Sequence, residues 1–148
     1  MKVRFLNINK IFEKKLQKLA ILYLKEITNK NKINLEQLEN FIYILKKKTN
    51  FFFIQQNKIK IGFGSVYFNF NNKKYCYIRD FFIIKKYRRK GIGSLIFKKI
   101  ITICKKKKIK TIRIDILKTN KKIEIFWKLL GFKKFRKSYI YKIDYASN

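Results

Sequence analysis

The sequence has 148 residues, of which 47% are hydrophobic and 17% aromatic, a size and composition that suit one folded unit and argue against wholesale disorder. Its 39 Lys plus Arg stand against 8 Asp plus Glu, a formal net charge of +31 that attracts phosphates, nucleic acid or acidic surfaces without naming one of them. The chain contains no histidine, which excludes a histidine base and, with Cys76 and Cys104 as its two cysteines, an ordinary four-ligand Cys/His zinc site.

Proline is also absent while Phe and Tyr are abundant, so a coding bias toward this alphabet competes with function as the origin of the lysine excess. Both cysteines sit among apolar or aromatic residues and read as buried thiols. The uninterrupted apolar runs are a few residues long, far below the roughly 20 needed to cross a bilayer. Asn7, Asn9 and Lys10 break up any signal-peptide core after the basic MKVRF start. These features predict a soluble intracellular protein, cytoplasmic or, in a eukaryote, nuclear, built as a single domain over 1–148.

In chain order, imperfect alternation over residues 2–8 predicts a short strand. Phe12, Leu16, Leu19, Ala20, Tyr23, Leu24 and Ile27 then recur at helical intervals, predicting a helix near 10–28 with a lysine-rich outer face. Asn34 and Gln37 form a capping-box signal for a second helix whose buried side is Leu35, Leu38, Phe41, Ile42 and Leu45. Aromatic and β-branched residues at 51–55 and 60–70 predict two antiparallel strands turning at Gln56, Asn57 and Lys58, and a third strand covers about 74–84.

Beyond 85–90, Ile92, Leu95, Ile96, Ile100 and Ile103 define a helical stripe closed by Lys105–Lys108. Residues 110–117 alternate as a strand with Ile112, Ile114 and Ile116 on one face and Asp115 on the other. Asn120 caps a short helix carrying Ile123, Phe126, Trp127 and Leu130, Gly131 ends it, and a last strand covers 133–143. The order βααβββαβαβ predicts a mixed α/β fold, with helices flanking a twisted mixed sheet.

The chain has five glycines, and Gly91 and Gly93 fall directly after YRRK at the start of a predicted helix. A helix N-terminus offers unpaired N–H groups and the positive end of its dipole, so Arg89, Lys90, Gly91, Ile92, Gly93 and Ser94 can cradle a pyrophosphate, with Arg88 or Lys90 adding charge. The bland alternative is a basic loop facing water that merely needs two glycines. GIG is too short for the dinucleotide fingerprint, and the GK[ST] ending of a triphosphate loop is missing.

The segment YIRDFFIIKKYRRKGIGSLIFKKI resembles the cofactor-binding region of the GCN5-related N-acetyltransferases, the GNAT family. Arg88 to Gly93 match its Q/R-x-x-G-x-G/A pattern, and Asn120 to Phe132 resemble its N-x-x-A-x-x-F-Y-x-x-x-G-F, with Ile123 and Trp127 in place of Ala and Tyr. The resemblance implies acetyl-coenzyme A as acetyl donor, no metal, a GNAT-like sheet with a splayed strand pair, and an amine acceptor. It also implies that the backbone of Phe81, Phe82 and Ile83 binds the pantetheine arm and acetyl carbonyl, that the 89–94 loop binds the pyrophosphate, and that Asn120 contacts the cofactor arm or its bound water.

Amide formation requires a neutral amine or a base that takes its proton. Asp115 matches an acidic position of N-terminal acetyltransferases that this chain resembles, against a salt bridge to Arg113 or Lys134. Asp80 is the second candidate, against an ion pair with Arg79. Trp127 stands where the family usually presents a tyrosine donor to the departing thiolate, and an indole has no phenolic proton. Tyr139 or Tyr141 from the last strand could supply one, against a plain sheet-face role. The acceptor is a protein α-amine or lysine, or else a small amine or amino sugar, acted on by a monomer or homodimer. A basic nucleic-acid-binding domain and an inactive cofactor-binding fold are the competing readings.

Overall fold

The structure is a computed structural model that describes residues 14–116, 120–135 and 138–145. The strand expected at 2–8, Phe12 and the end of the tail lie outside the described residues. Helix α1 (Lys14–Thr28) and helix α2 (Leu35–Lys48) precede strands β1 (Asn50–Gln56), β2 (Ile59–Asn69) and β3 (Tyr75–Ile83). After these come helix α3 (Ile92–Lys106), strand β4 (Thr111–Ile114), helix α4 (Lys121–Leu129) and strands β5 (Lys133–Phe135) and β6 (Ser138–Lys142). The strands form one six-stranded sheet in the order β1-β2-β3-β4-β6-β5. It is mixed, because β3 and β4 run parallel across α3 while β4–β6 and β5–β6 are antiparallel. The predicted α/β fold with helices flanking a mixed sheet is the one found.

Chain packing divides into two compact units, residues 1–65 with 80–93 and residues 66–79 with 94–148. In the first, the α1 stripe buries Leu16, Leu19, Ala20 and Leu24 with Leu38, Phe41 and Leu45 of α2 and with Phe51, Phe53, Phe63 and Phe82 of the strands. Ile27, expected in the α1 stripe, and Leu35, expected on the buried side of α2, are both exposed, each within two residues of its helix's end. Phe63 is the hub, with ring centroids 5.4 Å from Tyr23, 5.8 Å from Phe51 and 5.8 Å from Phe82. The capping box exists as predicted: the Gln37 amide donates to Asn34 Oδ1 at 2.8 Å, and the Asn34 amide to Gln37 Oε1 at 3.1 Å. Asn34→Ala is expected to lower stability by about 1 kcal/mol in denaturant titration, and Asn34→Asp by much less. Asn57 and Lys58 both hold positive φ, 48° and 64°, the twist that a two-residue hairpin loop between β1 and β2 requires.

In the second unit, α3 buries Ile96, Phe97, Ile100 and Cys104, whereas Leu95, expected in the stripe, is 43% exposed. The buried face is rotated by the bulk of Phe97, whose ring lies 5.2 Å from those of Phe132 and Tyr141 and 5.9 Å from that of Trp127. Cys76 and Cys104 are both fully buried free thiols. Hydrogen bonding with Cys104, then burial, pushes the Cys76 thiol well above the ordinary range, so it is inert as a nucleophile.

Two sequence expectations are corrected here. Strand β4 stops at Ile114, where its registers with β3 (Ile78↔Ile114) and β6 (Ile114↔Tyr139) both end, so Asp115 and Ile116 lie past the strand. The last strand is not continuous from 133 to 143 but folds into the hairpin β5–β6, Phe135 pairing with Ser138. Ser138 Oγ donates to the Phe135 carbonyl at 3.2 Å. The described order therefore ends αββ.

Candidate functional site

The glycine loop follows directly from β3. Ile84 leaves the strand with its amide on the Ile61 carbonyl at 2.9 Å, and a short 3-10 turn at Lys85–Tyr87, not foreseen from sequence, reverses the chain. Its bonds run from the Tyr87 amide to Ile84 O at 2.9 Å and from the Arg88 amide to Lys85 O at 3.0 Å. Two residues then take left-handed backbone, Arg89 at φ 63° and Gly91 at φ 73°, and α3 begins at Ile92. Such alternation turns successive N–H groups toward one side, and the start of a helix adds its own unpaired amides. The resulting nest suits an anion.

Arg88 is engaged elsewhere. Its Nε donates to the Ile83 carbonyl at 2.6 Å, one terminal nitrogen pairs with Glu26 of α1 at 2.7 Å, and the guanidinium lies 5.5 Å from the Phe82 ring centre. It fastens the loop to the end of β3, while the neighbouring Arg89 and Lys90 are exposed.

Phe81, Phe82 and Ile83 end β3, five residues of which run on past its last registered pair with β4, Ile78↔Ile114. Asp80, just before them, is buried, with Oδ1 accepting from the Tyr23 hydroxyl at 2.9 Å and Oδ2 from Ser65 Oγ at 2.5 Å. Tyr23 and Ser65 were missed as partners from the sequence: the first reads as one more ring on the α1 stripe, the second as a small residue in a strand. The available signal was polarity, since Ser65 and Asp80 are polar residues at buried positions of β2 and β3.

Asp115 is exposed and its Oδ2 accepts from the Tyr77 hydroxyl at 2.9 Å. Arg113, one of the two alternative salt-bridge partners for Asp115, instead stacks its guanidinium 4.1 Å from the Tyr75 ring centre. Asn120 caps α4, its Oδ1 accepting from the Ile123 amide at 3.2 Å, a bond that uses only the oxygen of its side-chain amide. Trp127 is a buried member of the Phe97 cluster, against Phe126 and Phe132 at 4.9 and 5.2 Å. Its ring is used for packing.

Tyr139 is buried with its hydroxyl donating to Glu124 Oε1 at 2.6 Å, and Lys128 pairs with the same oxygen at 2.6 Å. The Glu124 bond holds the phenol above its ordinary pKa, which makes Tyr139 a poorer acid than a free tyrosine. Lys128, then Tyr139, hold Glu124 below the usual carboxylate range, and Glu124 in turn raises Lys128. The Glu124 contribution to stability is therefore present above its unfolded pKa and lost as pH falls through the folded one. Those of Lys128 and Tyr139 are present below their unfolded values and lost as pH rises through the folded ones; solvent keeps the ion pair's share small. Among the described residues no group of three or more acidic or cysteine side chains is placed to hold a metal, and no helix is long and apolar enough to cross a membrane.

The profile of the Acetyltransferase (GNAT) family matches residues 17–132. This chain is a member of the GNAT family. The thialysine N-epsilon-acetyltransferases of Mus musculus and Bos taurus are 31% and 32% identical to it over 78 residues, 51% of this chain and 46% of each relative. The GNAT chain thus spans about half the length of these curated relatives. Among solved structures, the PaiA N-acetyltransferase of Thermoplasma acidophilum in complex with coenzyme A aligns with TM-score 0.69 at 19% identity, over 94% of this chain and 95% of that one. An acetyltransferase from Thermus thermophilus aligns with TM-score 0.78 at 10% identity, over 96% of each chain. These two likenesses establish the GNAT fold.

Proposed function

We propose that this protein transfers an acetyl group from acetyl-coenzyme A to a primary amine. The observation that carries this is the loop geometry: two left-handed residues, Arg89 and Gly91, immediately before α3 in a chain of this family. The amides of residues 89–94 bind the pyrophosphate, Arg89 and Lys90 add charge, the backbone of Phe81–Ile83 lies along the pantetheine arm, and the Asn120 amide takes a cofactor-arm contact.

The amine nitrogen attacks the thioester carbonyl, the C–S bond breaks, and coenzyme A leaves as thiolate. With a parent pKa of about 8.5, a thiolate leaves without a dedicated acid, so tryptophan at 127 is compatible with turnover and solvent protonates the sulfur. The amine proton goes to Asp115, whose carboxylate is open to solvent, directly or through one water. Asp80, with both oxygens already accepting, is a frame for the end of β3. Asp115→Asn is expected to slow single-turnover transfer on the order of 10²-fold with little change in cofactor affinity. An unchanged rate would return the proton to Asp80 or to solvent.

The acceptor we favour is an amine at the end of a flexible alkyl chain, supported by the thialysine relatives. A protein α-amine is the second reading, supported by Asp115 preceding Asn120 as in N-terminal acetyltransferases. Mass spectrometry of label passed from acetyl-coenzyme A to thialysine, polyamines, amino sugars, α-amine peptides and internal-lysine peptides separates them. Selective acetylation of amino sugars would overturn both acceptors while leaving donor and fold intact. If cofactor binds and nothing is acetylated, Trp127→Tyr tests for a missing proton donor, and continued silence would overturn the transferase reading.

A further inference from the structure

We propose that the second unit carries a docking surface for single-stranded nucleic acid at the C-terminal end of α3. Several segments meet there. The Lys107 ammonium lies 5.0 Å from the centre of the Phe68 ring and 5.7 Å from that of Phe70, which joins the end of β2 to the end of α3. Tyr145 donates its hydroxyl to the Ile109 carbonyl at 2.6 Å and takes the Lys105 ammonium at 5.8 Å from its ring centre. The Ile143 amide donates to the Lys110 carbonyl at 2.7 Å, which brings Lys142 to the same end.

The result is an unusual combination of charge and apolar surface. Lys105–Lys108, Lys110 and Lys142, with Lys73 and Lys74 in the turn after Phe70, face a single carboxylate in these segments, Asp144. The negative end of the α3 dipole offsets only about half a charge. Phe70 nevertheless stays 54% exposed and Tyr145 40% exposed among these ammonium groups, although burying their rings would be favourable. An unpaired strand answers both conditions at once: its phosphates draw the lysines off the rings and its bases stack on the exposed rings in their place. A duplex hides its bases, and an acidic peptide brings charge with no flat ring. None of these residues belongs to the 84–93 loop, to Asp80 or to Asp115, so acetyl transfer is expected to be unchanged when the surface is altered.

The test is fluorescence anisotropy of the full chain with labelled single-stranded RNA of roughly 15 nucleotides over a range of salt, alongside a blunt duplex and anionic vesicles. Circular dichroism checks that each variant is folded. Lys106→Gln, Lys107→Gln, Lys108→Gln and Lys110→Gln together are expected to weaken binding on the order of 10²-fold near 0.1 M salt and to reduce the slope of log affinity against log salt by about 3. Phe70→Ala is expected to cost about tenfold while leaving that slope unchanged. A charge-matched control on the outer face of α1, Lys14→Gln, Lys15→Gln, Lys18→Gln and Lys25→Gln, separates a surface from a merely basic protein. Equal losses in the two lysine sets would overturn the proposal. So would an unaffected Phe70→Ala, or equal affinity for the duplex or the vesicles.

Discussion

Gly91→Val is expected to lower acetyl-coenzyme A affinity by about tenfold or more, whereas Gly91→Asn stays within a few-fold of the parent, as read by calorimetry on folded proteins. The reason is backbone conformation rather than room. Gly91 sits at φ +73°, and a Cβ built there meets nothing within 4 Å. A left-handed backbone costs an ordinary L-residue roughly 1–2 kcal/mol, more when it is β-branched, while asparagine tolerates it through its short polar side chain. Valine therefore drives the loop toward a right-handed or extended alternative, and the amides at the head of α3 lose their common aim. At about 1.4 kcal/mol per tenfold, that strain alone accounts for the expected loss. Gly91→Ala should fall between the two. If valine binds as tightly as glycine, the pyrophosphate does not sit on this loop; if alanine, valine and asparagine all fail equally, crowding by the ligand rather than φ is the cause.

The elements were legible wherever a period ran undisturbed for several turns, as in the α1 and α2 stripes and the Asn34–Gln37 box. Two kinds of information were missing from the pattern. One is local competition between strand and turn: alternation over 110–117 continues through Asp115, but a strand lasts only while it is paired, and the pairing of β4 with β3 and with β6 ends at Ile114. The other is the choice among several apolar residues on one helix. Leu95 and Phe97 are equally apolar in a pattern, yet Phe97 takes the interior because Trp127, Phe132 and Tyr141 offer it ring partners from distant parts of the chain.

The candidate site divides along the same line. The glycine loop could be read because its requirement is local: positive φ and helix amides are properties of a few consecutive residues. Arg88 could not. In sequence it is one cation among three, and only the folded chain brings it to Glu26, a residue of α1, and to the carbonyl of Ile83. The Asp80 pair of hydroxyls is likewise non-local, with Tyr23 57 positions away and Ser65 15 positions away.

Gly62→Ala is expected to be the more damaging of two alanine substitutions in β2, lowering stability by about 2–3 kcal/mol, against roughly 1 kcal/mol for Gly64→Ala. At both glycines a neighbouring segment approaches closely. A Cβ on Gly62 would lie 2.1 Å from the Phe82 carbonyl oxygen, 3.1 Å from its carbon and 3.0 Å from Ile83 Cα, all backbone atoms of the neighbouring strand. Relief requires β2 and β3 to move apart, which strains bonds such as the one from the Ile84 amide to the Ile61 carbonyl. A Cβ on Gly64 would lie 2.3 Å from Phe52 Cζ, the far end of a buried side chain that can tilt without moving backbone. With about 2–4 °C per kcal/mol for a domain of this size, the Gly62 variant should melt roughly 5–10 °C lower, and the Gly64 variant only a few degrees lower. The two variants also separate stability from function. Because the Gly62 clash falls on Phe82 and Ile83, whose backbone we assign to the pantetheine arm, Gly62→Ala should weaken acetyl-coenzyme A binding even below its melting range, whereas Gly64→Ala should not. A Gly64 variant as destabilised as the Gly62 one would show that Phe52 is as rigidly held as the strand. Unaltered cofactor affinity in a folded Gly62→Ala protein would remove the end of β3 from the binding surface.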